Sequence, residues 1–349
     1  MIKERVTVQD IADALGLSRT TVSKALNGAP NMPEKTVDRV LNKAKELNYK
    51  QFSYFNTYKE EEPHFTKGGT FALFANYIPE QFHIASSIMA SLEQKMREYG
   101  YSLTVYMLNP EDVNSLKLPQ NFHPDKVDAI LGIELFHPEY SEMICSLGKP
   151  ILFFDSFYAP EREPLNANIL LMESRNSTFQ MLDKILKSNH LTRVGFIGDI
   201  NHCCSFHERF EGFKNALIAN NLDIDSSFCI TENDSQFHNP GFFYRTFSNM
   251  SQLPELFFCA NDLLAWKAIS ALKQLNINIS RDILICGFDD TLSATPMDNT
   301  LTTVHTPSRE MGIMAAAILM TQINNPDLPI STTYLNGEIK MRSSSCYIN

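Results

Sequence analysis

Arg19, Thr20 and Lys24 offer the most specific chemistry in this 349-residue chain. A guanidinium can donate two hydrogen bonds to guanine O6 and N7, an ammonium can also reach guanine, and a threonine can meet a base edge or a thymine methyl. The spacing puts these three on the exposed first turns of a short helix whose opposite face is Val22, Ala25 and Leu26. Ser18 stands where that helix needs a cap. Upstream, Thr7 can cap an earlier helix with Val8, Ile11, Ala12 and Leu15 on one face, and Gly16 closes it where a left-handed residue is required. Two short amphipathic helices joined by a tight glycine turn are a helix-turn-helix, the geometry that sets a recognition helix in the major groove of double-stranded DNA. The plainer alternative is a small apolar helical pair with no contact to DNA.

A second set of polar residues lies far from the first. Asp155 ends an apolar strand-like run, Arg209 opens a helix after a loop, Asn261 follows a strand, and Asp289 ends another. Open parallel sheets bind ligands beyond the carboxyl ends of their strands. Carboxylates set beside a guanidinium and an amide suit sugar hydroxyls, which both donate and accept. The same residues could instead serve as strand-end caps or salt bridges. His202, Cys203, Cys204 and His207 invite a zinc reading, but their spacing matches no standard zinc pattern, and a bridge between adjacent cysteines is strained, so no metal is assigned. The sequence contains no phosphate-binding loop, dinucleotide fingerprint or nucleophile elbow, and the adjacent carboxylates Asp289 and Asp290 point in different directions. No catalytic residue and no cofactor is therefore expected. Trp266, the only tryptophan, reads as structural.

The elements that must position these residues follow from periodicity. A third helix is expected over 34–47, with Lys35, Arg39, Lys43 and Lys45 on its charged face. The stretch 59–69, KEEEPHFTKGG, has no apolar period and reads as a linker. Beyond Thr70, apolar strand candidates over 71–77, 103–108, 129–133, 151–155, 169–171, 194–198, 228–231, 256–260 and 283–288 alternate with helices over 86–99, 174–187, 209–220, 263–275 and 308–323. That alternation predicts an α/β fold of parallel sheets covered on both faces, and two doubly wound lobes suit the length better than one sheet. The net charge is −10, yet residues 1–58 hold nine Lys/Arg against six Asp/Glu, a basic head on an acidic body. Seven cysteines at irregular spacing suit a reducing compartment, and the absence of a leader or membrane span points to the cytoplasm.

The run from Val6 to Gly28, VTVQDIADALGLSRTTVSKALNG, resembles the N-terminus of the LacI/GalR family of bacterial transcription regulators at Val6, Thr7, Asp10, Ala12, Gly16, Ser18, Thr21, Val22, Ser23, Leu26 and Asn27. Blocks such as RVGFIGD at 193–199, ERFEGFKNAL at 208–217, FFCANDLLAWKA at 257–268 and RDILICGFDD at 281–290 extend it through the body. The resemblance implies a three-helix headpiece with hinge over 1–58, a linker over 59–68, and a periplasmic-binding-protein-like core over 69–349. Its N-lobe is expected at about 69–160 and 293–325, and its C-lobe at about 161–292 and 326–349. It also implies phosphate contacts at Thr7, Ser18, Ser23, Asn27 and Lys35, effector contacts at Asp155, Arg209, Asn261 and Asp289, and ligand-ring platforms at Phe82 and Phe237, where core packing is the alternative. The hinge departs from the family: proline is absent after Tyr49, and Tyr58 stands where relatives wedge a leucine into the minor groove. Tyr58 either inserts there or belongs to an aromatic-rich linker helix. The implied protein is a repressor that binds operator DNA as a homodimer under control of a small-molecule effector, a carbohydrate or, as in purine-responsive relatives, a purine. A solute receptor without a transcriptional role is the other reading.

Overall fold

The computed structural model describes residues 6–26, 32–47, 68–76, 84–291 and 300–347. The chain divides into two compact units, Met1–Thr66 and Lys67–Asn349.

In the first unit, α1 (Val8–Leu15), α2 (Arg19–Leu26) and α3 (Glu34–Glu46) enclose a small core of Ile11, Ala12, Val22, Ala25, Leu26, Val40 and Ala44. A reciprocal capping box starts α1. The Thr7 hydroxyl accepts from the Asp10 N–H at 3.4 Å, and the Asp10 carboxylate accepts from the Thr7 N–H at 2.8 Å. Gly16 ends the helix at φ 63°, and a Cβ there would meet nothing within 4 Å, so only the backbone conformation calls for glycine. Gly16→Ala should therefore cost about 1 kcal/mol of headpiece stability. Faster hydrogen exchange across 8–26 in the full chain, with the core unchanged, is the expected result; unchanged exchange there would count against it.

The second unit is α/β. Six strands, β1 (Thr70–Ala75), β2 (Ser102–Met107), β3 (Ala129–Ile133), β4 (Ile151–Phe154), β5 (Asn168–Met172) and β10 (Thr332–Leu335), form one parallel sheet in the order β10-β5-β4-β3-β1-β2. The helices α4 (Ile84–Glu98), α5 (Pro110–Asn114) and α6 (Pro138–Cys145) fall between its strands in the chain. A second parallel sheet holds β6 (Val194–Ile197), β7 (Leu256–Cys259) and β8 (Leu284–Cys286), and β9 (Thr303–His305) pairs antiparallel with β11 (Glu338–Lys340). Around the second sheet come α7 (Arg175–Asn189), α8 (Cys204–Ala219), α9 (Asp234–Phe237), α10 (Phe242–Asn249) and α11 (Asp262–Gln274), with α12 (Ser308–Asn324) returning to pack on α4. That last approach is close: a Cβ on Gly312 would lie 2.1 Å from Ser91 Oγ. β3, β4, β6 and β7 are buried along their whole length, as strands covered on both faces must be.

Two expectations change. The first lobe does not end near residue 160, because Ile169 and Leu170 register against Phe153 and Phe154 and β10 then pairs with β5, so 168–172 and 332–335 belong to the first sheet rather than to the C-lobe. The apolar run at 228–231 is a short 3-10 turn at Ser226–Phe228 followed by a single bridge from Ile230 to Ile197. Its short apolar pattern does not distinguish a strand from a turn that buries Phe228 and Ile230.

Candidate DNA-reading helix and effector cleft

Arg19, Thr20 and Lys24 are exposed on α2, opposite the buried Val22, Ala25 and Leu26. Ser18 Oγ accepts from the Thr21 N–H at 3.0 Å and shares a 2.8 Å bond with Thr21 Oγ1, so the serine seats the first turn that carries Arg19 and Thr20. Lys35 is exposed at the start of α3, and Ser23 is half-buried. The Thr7 hydroxyl is already engaged with Asp10. Asn27, Tyr58 and Phe82 lie outside the described residues, as do the linker residues 59–67.

In the second unit the strand ends converge. Arg209 stands in the second turn of α8, a helix that starts at Cys204 and not at Arg209 itself. Only 4% exposed, it donates from one terminal nitrogen to the Ala260 carbonyl at 2.6 Å and from the other to Asp289 Oδ1 at 3.0 Å. Its guanidinium lies over the Phe288 ring at 3.8 Å. Its Nε is buried with no acceptor among the described residues. Asn261 caps α11, its Oδ1 accepting from the Leu264 N–H at 2.9 Å.

Two of the carboxylates sit on left-handed backbone, Asp155 at φ 61° and Asp289 at φ 107°. Such conformations cost energy outside glycine and gather at functional sites. Asp155 crosses between the lobes, its Oδ2 accepting from Ser205 Oγ of α8 at 2.6 Å. Nearby, Phe136 after β3 meets His202 after β6 edge to face at 4.9 Å. Asp262, beside Asn261, accepts from Thr303 Oγ1 at 2.8 Å and the Thr291 N–H at 2.9 Å. Burial, then the neighbouring Asp289 charge, push its carboxyl well above the usual carboxylate range.

Phe237 is only 2% exposed and stacks on Phe243 in the second-lobe core, so it is no platform for a ligand ring. The His/Cys stretch has dispersed partners. Cys203 faces Ser205 Oγ, Cys204 donates to the Phe157 carbonyl, and His207 stacks on Tyr158. Burial pushes the Cys204 thiol up to about 12 and the Cys203 thiol well above its ordinary value. Both stay protonated at neutral pH, which suits packing rather than ligation or redox chemistry. Sequence reasoning missed Ser205, Asp262, Thr306 and Glu208; nothing in a serine or an acid at a helix start separates a cap from a group that braces a cleft.

A DNA-reading helix-turn-helix and a two-lobed ligand-binding core define a ligand-responsive regulator of transcription. Residues 7–51 match the bacterial regulatory proteins of the lacI family, and residues 184–345 match the periplasmic binding protein-like domain. The chain thus joins a lacI-family DNA-binding domain to a periplasmic binding protein-like domain. It is 25% identical over 342 residues to the ribose operon repressor of Haemophilus influenzae, spanning 97% of this chain and 98% of that protein. It is 26% identical over 328 residues to the transcriptional repressor PurR of the same species, spanning 92% of each. The regulator CelR solved with cellobiose superposes with a TM-score of 0.67 at 19% identity, covering 97% of this chain and 100% of that one. The lac repressor dimer bound to operator and an anti-inducer gives 0.64 at 18%, covering 98% and 100%. No helix among the described residues is long and apolar enough to cross a membrane.

Proposed function

We propose that this chain acts as a homodimeric, cytoplasmic repressor whose affinity for a partly symmetric operator is set by a sugar-like effector held between the lobes by Asp155, Arg209, Asn261 and Asp289. Arg209 carries the reading. A guanidinium buried at a strand end, held by Asp289 and Ala260 yet with its Nε lacking an acceptor among the described residues, suits a ligand rich in oxygen acceptors. Asn261, next in the chain to the Ala260 carbonyl that Arg209 binds, caps α11 through its oxygen. Relatives named for ribose and a neighbour solved with cellobiose favour a carbohydrate; relatives named PurR keep a purine as the second reading. In the headpiece, Arg19, Thr20 and Lys24 read bases, Thr7, Ser18, Ser23, Asn27 and Lys35 set register on phosphates, and Tyr58 belongs to the hinge beside the minor groove. The chain carries out no chemistry on its ligand and returns it unchanged.

A thermal-shift screen against sugars, sugar phosphates and purines tests the effector class. A ligand that binds only the folded state adds about 2.7 kcal/mol at a hundredfold excess over its Kd. Sugars should raise the melting temperature of the wild type and leave Asp155→Asn unmoved. A shift produced by purines alone would replace the carbohydrate reading, and an equal sugar shift in Asp155→Asn would remove that residue from the site.

A further inference from the structure

We propose that Tyr334 and Glu208 are positioning residues for the effector cleft: their hydrogen bond clamps the start of α8 to the outermost strand of the first sheet and so holds Ser205 and Arg209 in place. The functional consequence rests on the cleft assignment above; the clamp itself does not.

Tyr334 Oη donates to Glu208 Oε1 at 2.7 Å, joining β10 of one lobe to α8 of the other. The same two turns reach across at neighbouring positions. The Cys204 N–H donates to the Ser156 carbonyl at 2.8 Å, Ser205 Oγ donates to Asp155 at 2.6 Å, and the His207 ring stacks on Tyr158 at 3.5 Å. Phe206 turns inward instead and lies under Arg209. One face of the helix start thus grips the first lobe while the other carries the ligand-facing guanidinium. Tyr334 lies on an edge strand and is 46% exposed, so its hydroxyl is the member most easily removed without a core defect.

Glu208 faces the like charges of Asp155 and Glu173, with Arg175 opposing them and Tyr334 and Cys204 beside it. Burial, chiefly, pushes its carboxyl up.

Hydrogen exchange of the effector-free full chain, corrected for intrinsic rates, reads the amides of Cys204 and Ser205, which bond across the lobes. Tyr334→Phe should exchange about tenfold faster there, the effect of losing one charge-assisted bond. Glu208→Gln, which keeps an acceptor for the tyrosine hydroxyl but no charge, should exchange more slowly than Tyr334→Phe. Amides of α11 should be unchanged in both. Wild-type exchange in Tyr334→Phe, or a Glu208→Gln as fast as Tyr334→Phe, overturns the proposal. No ligand enters this test, so its failure leaves the effector assignment standing, and failure of the thermal screen leaves the clamp standing.

Discussion

Arg209→Met should abolish effector-induced stabilisation and also lower the melting temperature of the effector-free protein. The wild-type guanidinium is bound to the Ala260 carbonyl and to Asp289, over the face of Phe288, with side chains only 5% and 14% exposed across the ion pair. Methionine fills much of the space but leaves Asp289 with Thr306 as its remaining side-chain partner among the described residues and with Asp262, already pushed toward its neutral form, close by. Removing one partner of a buried pair costs about 3–5 kcal/mol, mostly through the charge left behind. A second variant separates stability from recognition. Arg209→Met combined with Asp289→Asn removes both charges, keeps a side chain that tolerates the φ of 107° at this position, and should recover much of the lost melting temperature, while ligand-induced stabilisation stays absent. Calorimetry of the three proteins with and without the sugar from the screen gives the comparison. A stable Arg209→Met that still responds to the sugar would detach this residue from the effector.

The second large effect belongs to the headpiece. Arg19→Ala removes an exposed side chain from α2, so stability should not change. Each half-site should lose about 1–3 kcal/mol of operator affinity, with discrimination relaxed at the single base pair that the guanidinium reads. Lys35→Ala should behave differently: binding weakens alike on all sequences, and the slope of log affinity against log salt falls by about 0.9 for each phosphate no longer neutralised. Fluorescence anisotropy on a selected operator and on base-substituted copies distinguishes the two patterns. A uniform loss across sequences in Arg19→Ala would move that residue to the backbone.

Local rules were legible where one residue type answers one backbone need. Thr7, Gly16 and Ser18 each do what the sequence implies, because a cap or a left-handed turn admits few side chains. The buried strands β3, β4 and β7 were legible for a related reason: only continuous apolar runs survive coverage on both faces. Partner choice among strands was not. Nothing local in the Asn168–Met172 segment says that it pairs with Phe153 and Phe154 rather than with the second sheet, since register depends on which sheet edge lies near. Phe237 shows the same limit for a side chain: an aromatic in a loop pattern carries no mark of which neighbour, ligand or core, will cover it. The four cleft residues could be placed at strand ends or helix starts, but that Asp289 answers Arg209 while Asp155 answers Ser205 is a tertiary fact.

On the proposed reading, the effector cleft assigned to Arg209 must be coupled to the reading helix assigned to Arg19 within one chain. Operator affinity, followed by anisotropy with and without the effector found in the screen, reads that coupling directly. The effector should change wild-type affinity about tenfold or more. Arg209→Met should bind operator without responding to it, and Arg19→Ala should keep the full effector-induced melting shift while losing operator. An effector that stabilises the wild type through Arg209 yet leaves operator affinity unchanged would contradict the coupling.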